Sequence, residues 1–546
     1  MSDTKNSRFE IRLPLMLAIT LALGMLIGQK LPKADHLLQI TPGGQKSGQV
    51  SKTIQEVLGY IEAHYVDSVN LKEIKEDAIS KMLEDLDPHS VYISPEELEH
   101  VQEDMNGNFE GIGIEFLVVN DTLQVMTPLA GGPSEAAGIL AGDKIVQIGD
   151  SVVAGIGIDN KMIFNLLRGE KGSKVELGIR RGNESKLRTF TITRDVIPMN
   201  SLEIAYMLDE HTGYMKISRF SARTHEEFMG GLRTLVEDKD MRNLVLDLRG
   251  NPGGYLIEAV DMLSQFFPEG KLLVYTEGLR DTRMDYKSSG KARFKIDQIA
   301  ILIDEGSASA SEIVAGAIQD HDRGWVIGRR SFGKGLVQEQ FPLRDGGALR
   351  LTVSRYFTPS GRSIQRDYSN IKSYAKETDR RFENGELSDS TNVKLSDSTE
   401  YFTGMGRVVF GGGGIMPDIF IPLDTSFVND YYYETRYKVP VFVAEWLNEH
   451  RNDRDKLGKD LDKFLSNFEV GPAMMEDFYS YAEKNGVKRN PTQMARCEEE
   501  LKHHIKARLA KMLFQEDGLY RYLNSEDPAV EKAWQLLKKE ERITRK

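Results

Sequence analysis

Cysteine is almost absent: Cys497 is the only one in the chain. No intramolecular disulfide and no cysteine-based zinc site can therefore form. No HExxH sequence occurs, and the "HD" at 321–322 is too short to hold a metal. Positive charge is not in excess, since 71 Lys and Arg face 83 Asp and Glu, a formal net charge of −12. That argues against nucleic acid, whose binding relies on a basic field. Long apolar runs are scarce as well. The stretch "LPLMLAITLALGMLIG" (13–28) carries no charge and follows Lys5, Arg8 and Arg12.

That N-terminal pattern predicts a short cytoplasmic segment (1–12), a membrane-associating segment (13–28) and an exported remainder. No cysteine follows the run, which excludes an N-terminal lipoprotein. The apolar "MLIGQKL" continues past the best small-residue site, so an uncleaved anchor is expected rather than a cleaved signal peptide. The predicted setting is the cell envelope, with the catalytic part in the periplasm. Signal cleavage would instead leave the chain soluble there.

What is present suits a multidomain globular protein: 546 residues, 40% apolar and 28% charged. Residues 34–50 read as a polar tether, and 50–104 as helices, with Ile54, Val57, Leu58 and Ile61 at helical spacing. Pro88 should stop one helix and Pro95 start another. Residues 105–195 are rich in strands. Between about 200 and 366 strands and helices alternate, "NLVLDLRG" and "IAILID" reading as strands buried on both faces. Residues 367–410, with the repeat "LSDSTNVKLSDSTE", read as an exposed, partly disordered insertion, and 411–426 as a return strand. The tail, 427–546, is helical. Met494, Cys497, Leu501, Ile505, Leu509 and Met512 form one apolar stripe, and Val530, Trp534 and Leu537 another.

Two stretches carry the chemistry. "GSASASEIVAGAIQD" (306–320) sets Ser307, Ser309 and Ser311 at every second position, and "RRSFGKGLVQ" places Lys334 between two glycines 25 residues after Ser309. A serine hydroxyl needs a base to take its proton. A lysine can be that base only when desolvation keeps it neutral. On a strand of period two, Lys334, Leu336 and Gln338 would share a face, so Gln338 could orient the amine. The glycine turn in "LDLRGNPGG" can aim backbone amides at an oxyanion. Taken singly, Ser309 also fits the N-cap of an S-x-x-E capping box, Lys334 a solvated turn and "GNPGG" a plain turn. A histidine triad through His321 or His225 is disfavoured, His321 falling at the far end of the helix that follows Ser309.

The segment "FEGIGIEFLVV" with "GGPSEAAGILAGDKIVQIGD" resembles a PDZ domain, with Gly111, Ile112, Gly113 and Ile114 as the loop before the peptide-binding edge. Together with "LDPHSVYI", "GRRSFGKGLVQ" and "YFTPSGRSIQ", the chain resembles the C-terminal processing peptidases, or tail-specific proteases. The resemblance implies a multidomain α/β fold: an α/β spiral core of the ClpP/crotonase type, an inserted PDZ domain, N-terminal helices and a C-terminal helical extension. It implies Ser309 as nucleophile, Lys334 as general base and Gln338 as its support. The oxyanion donors would be the amides of Gly253 or Gly254 and of Ala310. Arg168, in "LLRGEKGS", would couple peptide occupancy of the PDZ domain to the active site. Substrates would be proteins with unstructured apolar C-termini, with no metal, nucleotide or other cofactor, and a homo-oligomer is compatible with this reading. The alternative is an inactive PDZ adaptor of the cell envelope.

Overall fold

The computed structural model describes residues 45–539 except Ala130, Asn183, Ser185, Leu395, Ser396 and Ser398. The apolar stretch 13–28 and residues 34–44 of the expected tether lie outside the described residues. No helix among the described residues is long and apolar enough to cross a membrane. The chain divides into two compact units after Ala78. Helices α1 (Gln45–His64) and α2 (Leu71–Glu84) come first. Helix α1 begins inside the stretch expected to be tether, because a nucleated helix extends at one hydrogen bond per added residue.

The second unit begins within α2. After it come β1 (Val91–Ile93) and α3 (Pro95–Asn106). Ser94 caps α3: its hydroxyl accepts from the Glu97 amide, while the Glu97 carboxylate accepts from the Ser94 amide. Gly107, at φ 74°, ends the helix in the left-handed region.

The β-rich module holds β2 (Asn108–Gly111), β3 (Ile114–Val119), β4 (Thr122–Pro128), α4 (Pro133–Ala136), β5 (Lys144–Ile148), β6 (Ser151–Val152), α5 (Asn160–Leu167), β7 (Lys174–Arg180), β8 (Arg188–Thr193) and β9 (Asp195–Pro198). Strand order is β3-β4-β5-β7-β8 with β6 beside β5, and β2 pairs with β9 where the chain enters and leaves. Alternating residues of β4, β5 and β7 close its core around Leu123, Val125, Ile145 and Leu177. Strand β3 is an edge. Helix α5 lies alongside it, Phe164 meeting Phe116 edge-on at 5.7 Å between ring centres.

The core follows as β10 (Leu202–Met207), β11 (Thr212–Ile217), α6 (Thr224–Glu237), β12 (Asn243–Asp247), α7 (Leu256–Leu263), β13 (Leu272–Glu277), β14 (Met284–Lys287), β15 (Gln298–Ile303), α8 (Ala310–Asp320), β16 (Trp325–Gly328), β17 (Leu336–Pro342) and β18 (Ala348–Phe357). One sheet runs β10-β11-β12-β15-β16 and is parallel from β11 onward. Helices α6, α7 and α8 cover one face through Phe228, Leu263 and Val314. A second sheet runs β1-β18-β13-β14, with β17 paired to β18.

Residues 367–410 differ from the exposed loop expected of them. They carry α9 (Ile371–Ala375), α10 (Glu377–Glu383), a 3-10 turn at Ser390–Asn392 and a hairpin of β19 (Glu400–Phe402) and β20 (Val408–Phe410). Arg381 and Glu386 are buried and paired at 2.7 Å. A polar composition suggested solvent, but polar groups go inside when each finds a partner. Strand β21 (Ile419–Phe420) then joins the edge of the parallel sheet beside β16.

The tail forms α11 (Asp430–Arg436), α12 (Val439–Glu449), α13 (Arg451–Leu457), α14 (Leu461–Asn467), α15 (Pro472–Lys484), α16 (Pro491–Ser525) and α17 (Pro528–Lys538), with α16 broken at Gln515. The two stripes seen in the sequence enter different cores. Cys497, Leu501, Ile505 and Leu509 pack among the tail helices. Val530 and Leu537 of α17 instead cover the other face of the parallel sheet, against Tyr214, Val245, Ala300, Leu302 and Ile327. Helix α16 also reaches the β-rich module, where Arg508 and Lys511 pair with Glu115 of β3 at 3.5 and 3.4 Å.

Candidate active site

Three serines lie in one turn and have separate surroundings. The Ser307 hydroxyl donates to the Leu248 carbonyl at 2.8 Å, and that of Ser311 to the Asn251 carbonyl at 3.0 Å. Both fasten the 306–311 turn to the "LRGNPGG" turn. Ser309, between them, is the N-cap residue of α8 and sits at φ 54°, ψ −112°. A serine at positive φ is strained by its Cβ, and such strain persists only where the surroundings enforce it. Here it aims Ser309 into a cavity of about 660 Å³ that Lys334 and Gln338 also line.

Burial lowers the Lys334 pKa, and the Arg350 charge adds to the effect; Glu312 and Asp87 oppose both. "SFGKGLVQ" holds no carboxylate, so these acids come from distant parts of the chain. The flanking glycines serve backbone packing rather than the amine. A Cβ on Gly333 would stand 3.0 Å from the Gly414 amide, and one on Gly335 3.0 Å from that of Gln365.

Lys334, Leu336 and Gln338 all line this cavity. Across the ladder the pairing steps from Val337–Ser354 to Gln338–Thr352, an irregularity that leaves Gln338 opposite Thr352 of β18. Its Nε2 lies 3.5 Å from the Thr352 hydroxyl, and that is its hydrogen bond, not one to Lys334.

Glu312 was legible only as the acid of a capping box. It is fully buried, and its carboxylate joins the serine turn to the lysine loop. One oxygen accepts from the Ser331 hydroxyl at 2.5 Å and the Gly333 amide at 2.7 Å. The other accepts from the Ser309 amide at 2.8 Å and the Lys334 amide at 2.9 Å. Burial pushes its pKa up to about 7 against those four bonds. Tyr356 adds a second tie, its hydroxyl lying 2.5 Å from the Lys334 carbonyl and 3.1 Å from that of Ser309. From the insertion, Arg381 donates to the carbonyls of Arg330 and Ser331.

Because Glu312 has a higher pKa folded than free, folding takes up a proton between about 4.5 and 7. Its contribution to stability therefore falls as pH rises through that window. Glu312→Gln should turn an NH2 toward two donors and destabilise the protein by about 1–3 kcal/mol. Denaturant unfolding from pH 4.5 to 7 should give a flatter stability curve than wild type. An unchanged midpoint and an unchanged slope against pH would contradict the role of this carboxylate.

The glycine turn distinguishes its two candidates. The Gly253 amide already donates to Asn251 Oδ1 at 2.8 Å. Gly254 lines the cavity and approaches Phe220 so closely that a Cβ would stand 2.0 Å from the Phe220 oxygen. Ala310 is the first residue of α8, where an amide has no partner within the helix.

In the β-rich module, Ile112 is buried, its carbonyl accepting from Ser134, and the Gly113 carbonyl accepts from the Leu129 amide. Gly111 pairs with Asp195, and Ile114 begins the edge strand. Arg168 closes α5, stacks on Phe109 and Phe164, and binds Glu103 and His100 of α3. Val101, Gln102, Met105 and Asn106 of the same helix line the Ser309 cavity.

Residues 211–372 match peptidase family S41 and residues 111–193 the PDZ domain, while 435–515 match a family of unknown function (DUF8443). The chain is 36% identical over 316 residues to a carboxy-terminal-processing protease of Bartonella bacilliformis, spanning 57% of this chain and 71% of that protein. It is 34% identical over 316 residues to the carboxy-terminal processing protease CtpB of Bacillus subtilis, spanning 57% and 65%. Among solved structures it is similar to a photosystem II D1 C-terminal processing protease, at TM-score 0.36 and 26% identity, covering 69% of this chain and 87% of that one. The chain belongs to peptidase family S41, among its carboxy-terminal processing proteases.

Proposed function

We propose that this chain is a serine endopeptidase that recognises protein C-termini and cleaves near or within the tails of exported proteins. The observation that carries this reading is the sharing of one cavity by a strained Ser309 and a desolvated Lys334 in an S41 chain. Lys334 accepts the Ser309 proton as the hydroxyl oxygen attacks the scissile carbonyl. The amides of Gly254 and Ala310 receive the oxyanion, and the lysine returns the proton to the leaving amine. Water, deprotonated by the same lysine, then attacks the acyl-enzyme and frees the acid. The core is assigned to the α/β spiral of the ClpP/crotonase type, a reading supported by its parallel sheet with helices stacked on one face.

The PDZ edge strand β3 would receive the substrate tail, with the 111–114 loop at its carboxylate. Arg168 supports coupling of the two sites, because it grips the helix whose next turn forms a cavity wall. A ligand can shift such an equilibrium only through different affinities for the two states. Arg168→Ala should lower hydrolysis of long, tailed substrates more than it lowers acylation of Ser309 by a small fluorophosphonate. If amidating the substrate's C-terminus leaves cleavage unchanged, tail recognition is wrong. If a peptide ending in small apolar residues is never turned over, the inactive-adaptor reading stands instead. Membrane tethering through 13–28, supported by the basic residues before it, is checked by fractionating cells with and without that segment.

A further inference from the structure

The turn "LDPHS" after α2 lies far from Lys334 in sequence, yet it holds the strand opposite the lysine's glutamine. Asp87 is buried there, 6% exposed. Its Oδ1 accepts from the His89 amide at 2.8 Å, the Ser90 amide at 2.9 Å and the Thr352 hydroxyl at 3.1 Å. Its Oδ2 accepts from the Ser90 hydroxyl at 2.6 Å, whose oxygen in turn accepts from the Thr352 amide at 3.1 Å. Thr352 is thus held twice, by its backbone and by its side chain.

A single proton sets the direction of this chain of bonds. An ionised carboxylate only accepts, so the one hydroxyl proton of Thr352 is committed to Asp87. The Thr352 oxygen can then only accept from Gln338, 3.5 Å away. The amide must turn its NH2 end to Thr352, leaving Oε1, an acceptor, at its other end. A neutral lysine amine has two N–H groups and one lone pair. An acceptor for one N–H leaves the lone pair free to turn toward Ser309, whereas an amide flipped the other way would set acceptor against acceptor at Thr352 and donate its NH2 to the amine's lone pair, blocking it.

We propose that Asp87 and Thr352 are positioning residues for the general base, fixing which end of the Gln338 amide faces Lys334. This rests on the assignment of Ser309 and Lys334 as nucleophile and base. The charged or titratable groups around the lysine are Glu312 from α8, Arg350 from β18, and Asp87 and His89 from the "LDPHS" turn. His89 bonds the Tyr374 hydroxyl at 2.7 Å, and its pKa is lowered to about 4 by burial and then by the Lys334 charge. The Asp87 charge, like that of Glu312, favours the ammonium, so the two effects of Asp87 are separable. Its hydrogen bond orients the base, and its charge raises the base's pKa.

The test is steady-state hydrolysis against pH with variants at Thr352, Gln338, Asp87 and Lys334. Thr352→Val should lower kcat about 10-fold or more, leave KM within about twofold and leave the acid limb in place. Thr352→Ser should restore kcat. In a Gln338→Ala background, Thr352→Val should have no further effect, since both changes break one link. Asp87→Asn should lower kcat and move the acid limb to lower pH, because the anion favouring the ammonium is gone. Wild-type kcat in Thr352→Val, or equal damage in Thr352→Ser and Thr352→Val, would overturn the proposal even if Asp87→Asn fails to fold. In either case an inactive Lys334→Ala shows that the base itself stands. An active Lys334→Ala would overturn the underlying reading.

Discussion

Replacing Ser309 or Lys334 by alanine should leave a folded protein whose kcat/KM for peptides falls by about 10⁴-fold or more. In the proposed mechanism the two side chains act as a unit, so losing either removes most of what both supply. Lys334→Arg should be equally inactive, because a guanidinium does not release its proton in proteins. His321→Ala and His225→Ala should retain most activity. His321 caps the far end of α8, with Nε2 2.6 Å from the Leu272 carbonyl. His225 lies in the first turn of α6, its amide bonded to Glu258 at 2.8 Å. A fluorophosphonate that labels wild type but not Ser309→Ala would fix the nucleophile. An active Lys334→Ala beside an inactive, folded His321→Ala would refute the pair.

Removing α17 by ending the chain at Ser525 should abolish stable folding of the core, although no residue of α17 lines the Ser309 cavity. Val530, Leu536 and Leu537 are buried against the parallel sheet. At about 1.5–3 kcal/mol for each large apolar side chain, their loss rivals a domain's whole net stability of about 5–15 kcal/mol. Truncation also leaves a charge network open. Arg249 binds Asp527 at 2.7 Å and Asp247 at 2.6 Å, and Asp247 also accepts from Lys216 and Tyr214. Burial pushes the Asp247 pKa up, but Arg249 and Lys216 more than reverse it. The point variant Leu537→Ala should cost about 2–5 kcal/mol. A truncated protein with wild-type melting temperature and activity would show that the tail is dispensable.

The legible parts of the fold were those with strong local periodicity. "NLVLDLRG" and "IAILID" read as strands buried on both faces, and α17 supplies the second face. Pro88 and Pro95 marked helix ends through their backbone restrictions. Residues 367–410 were misread because composition reports the average environment, and the pairing of Arg381 with Glu386 is not visible in order along the chain. In the site, Ser309 and Lys334 were nameable from short motifs, and the structure sets both in one cavity. Gln338 was assigned a face by alternation, but its pairing with Thr352 depends on a register shift that no sequence pattern shows. Glu312 satisfied a local motif, which concealed a bond to residues about twenty positions away. Asp87 was legible as part of the "LDPHSVYI" motif but without a role, since its bond runs to Thr352 on a strand 265 residues later.

The placement of α17 also sets an order of events in synthesis. Peptide chains are made from the N-terminus, and the helix that covers the second face of the catalytic sheet is the last described element. Until residues near Leu537 leave the ribosome, Tyr214, Val245, Ala300, Leu302 and Ile327 lack the apolar cover that Val530, Leu536 and Leu537 supply. A chain interrupted between Lys334 and α17 carries Ser309 and Lys334 in its sequence but lacks the helix that covers the second face of the sheet. Such a chain is prone to association through the uncovered face.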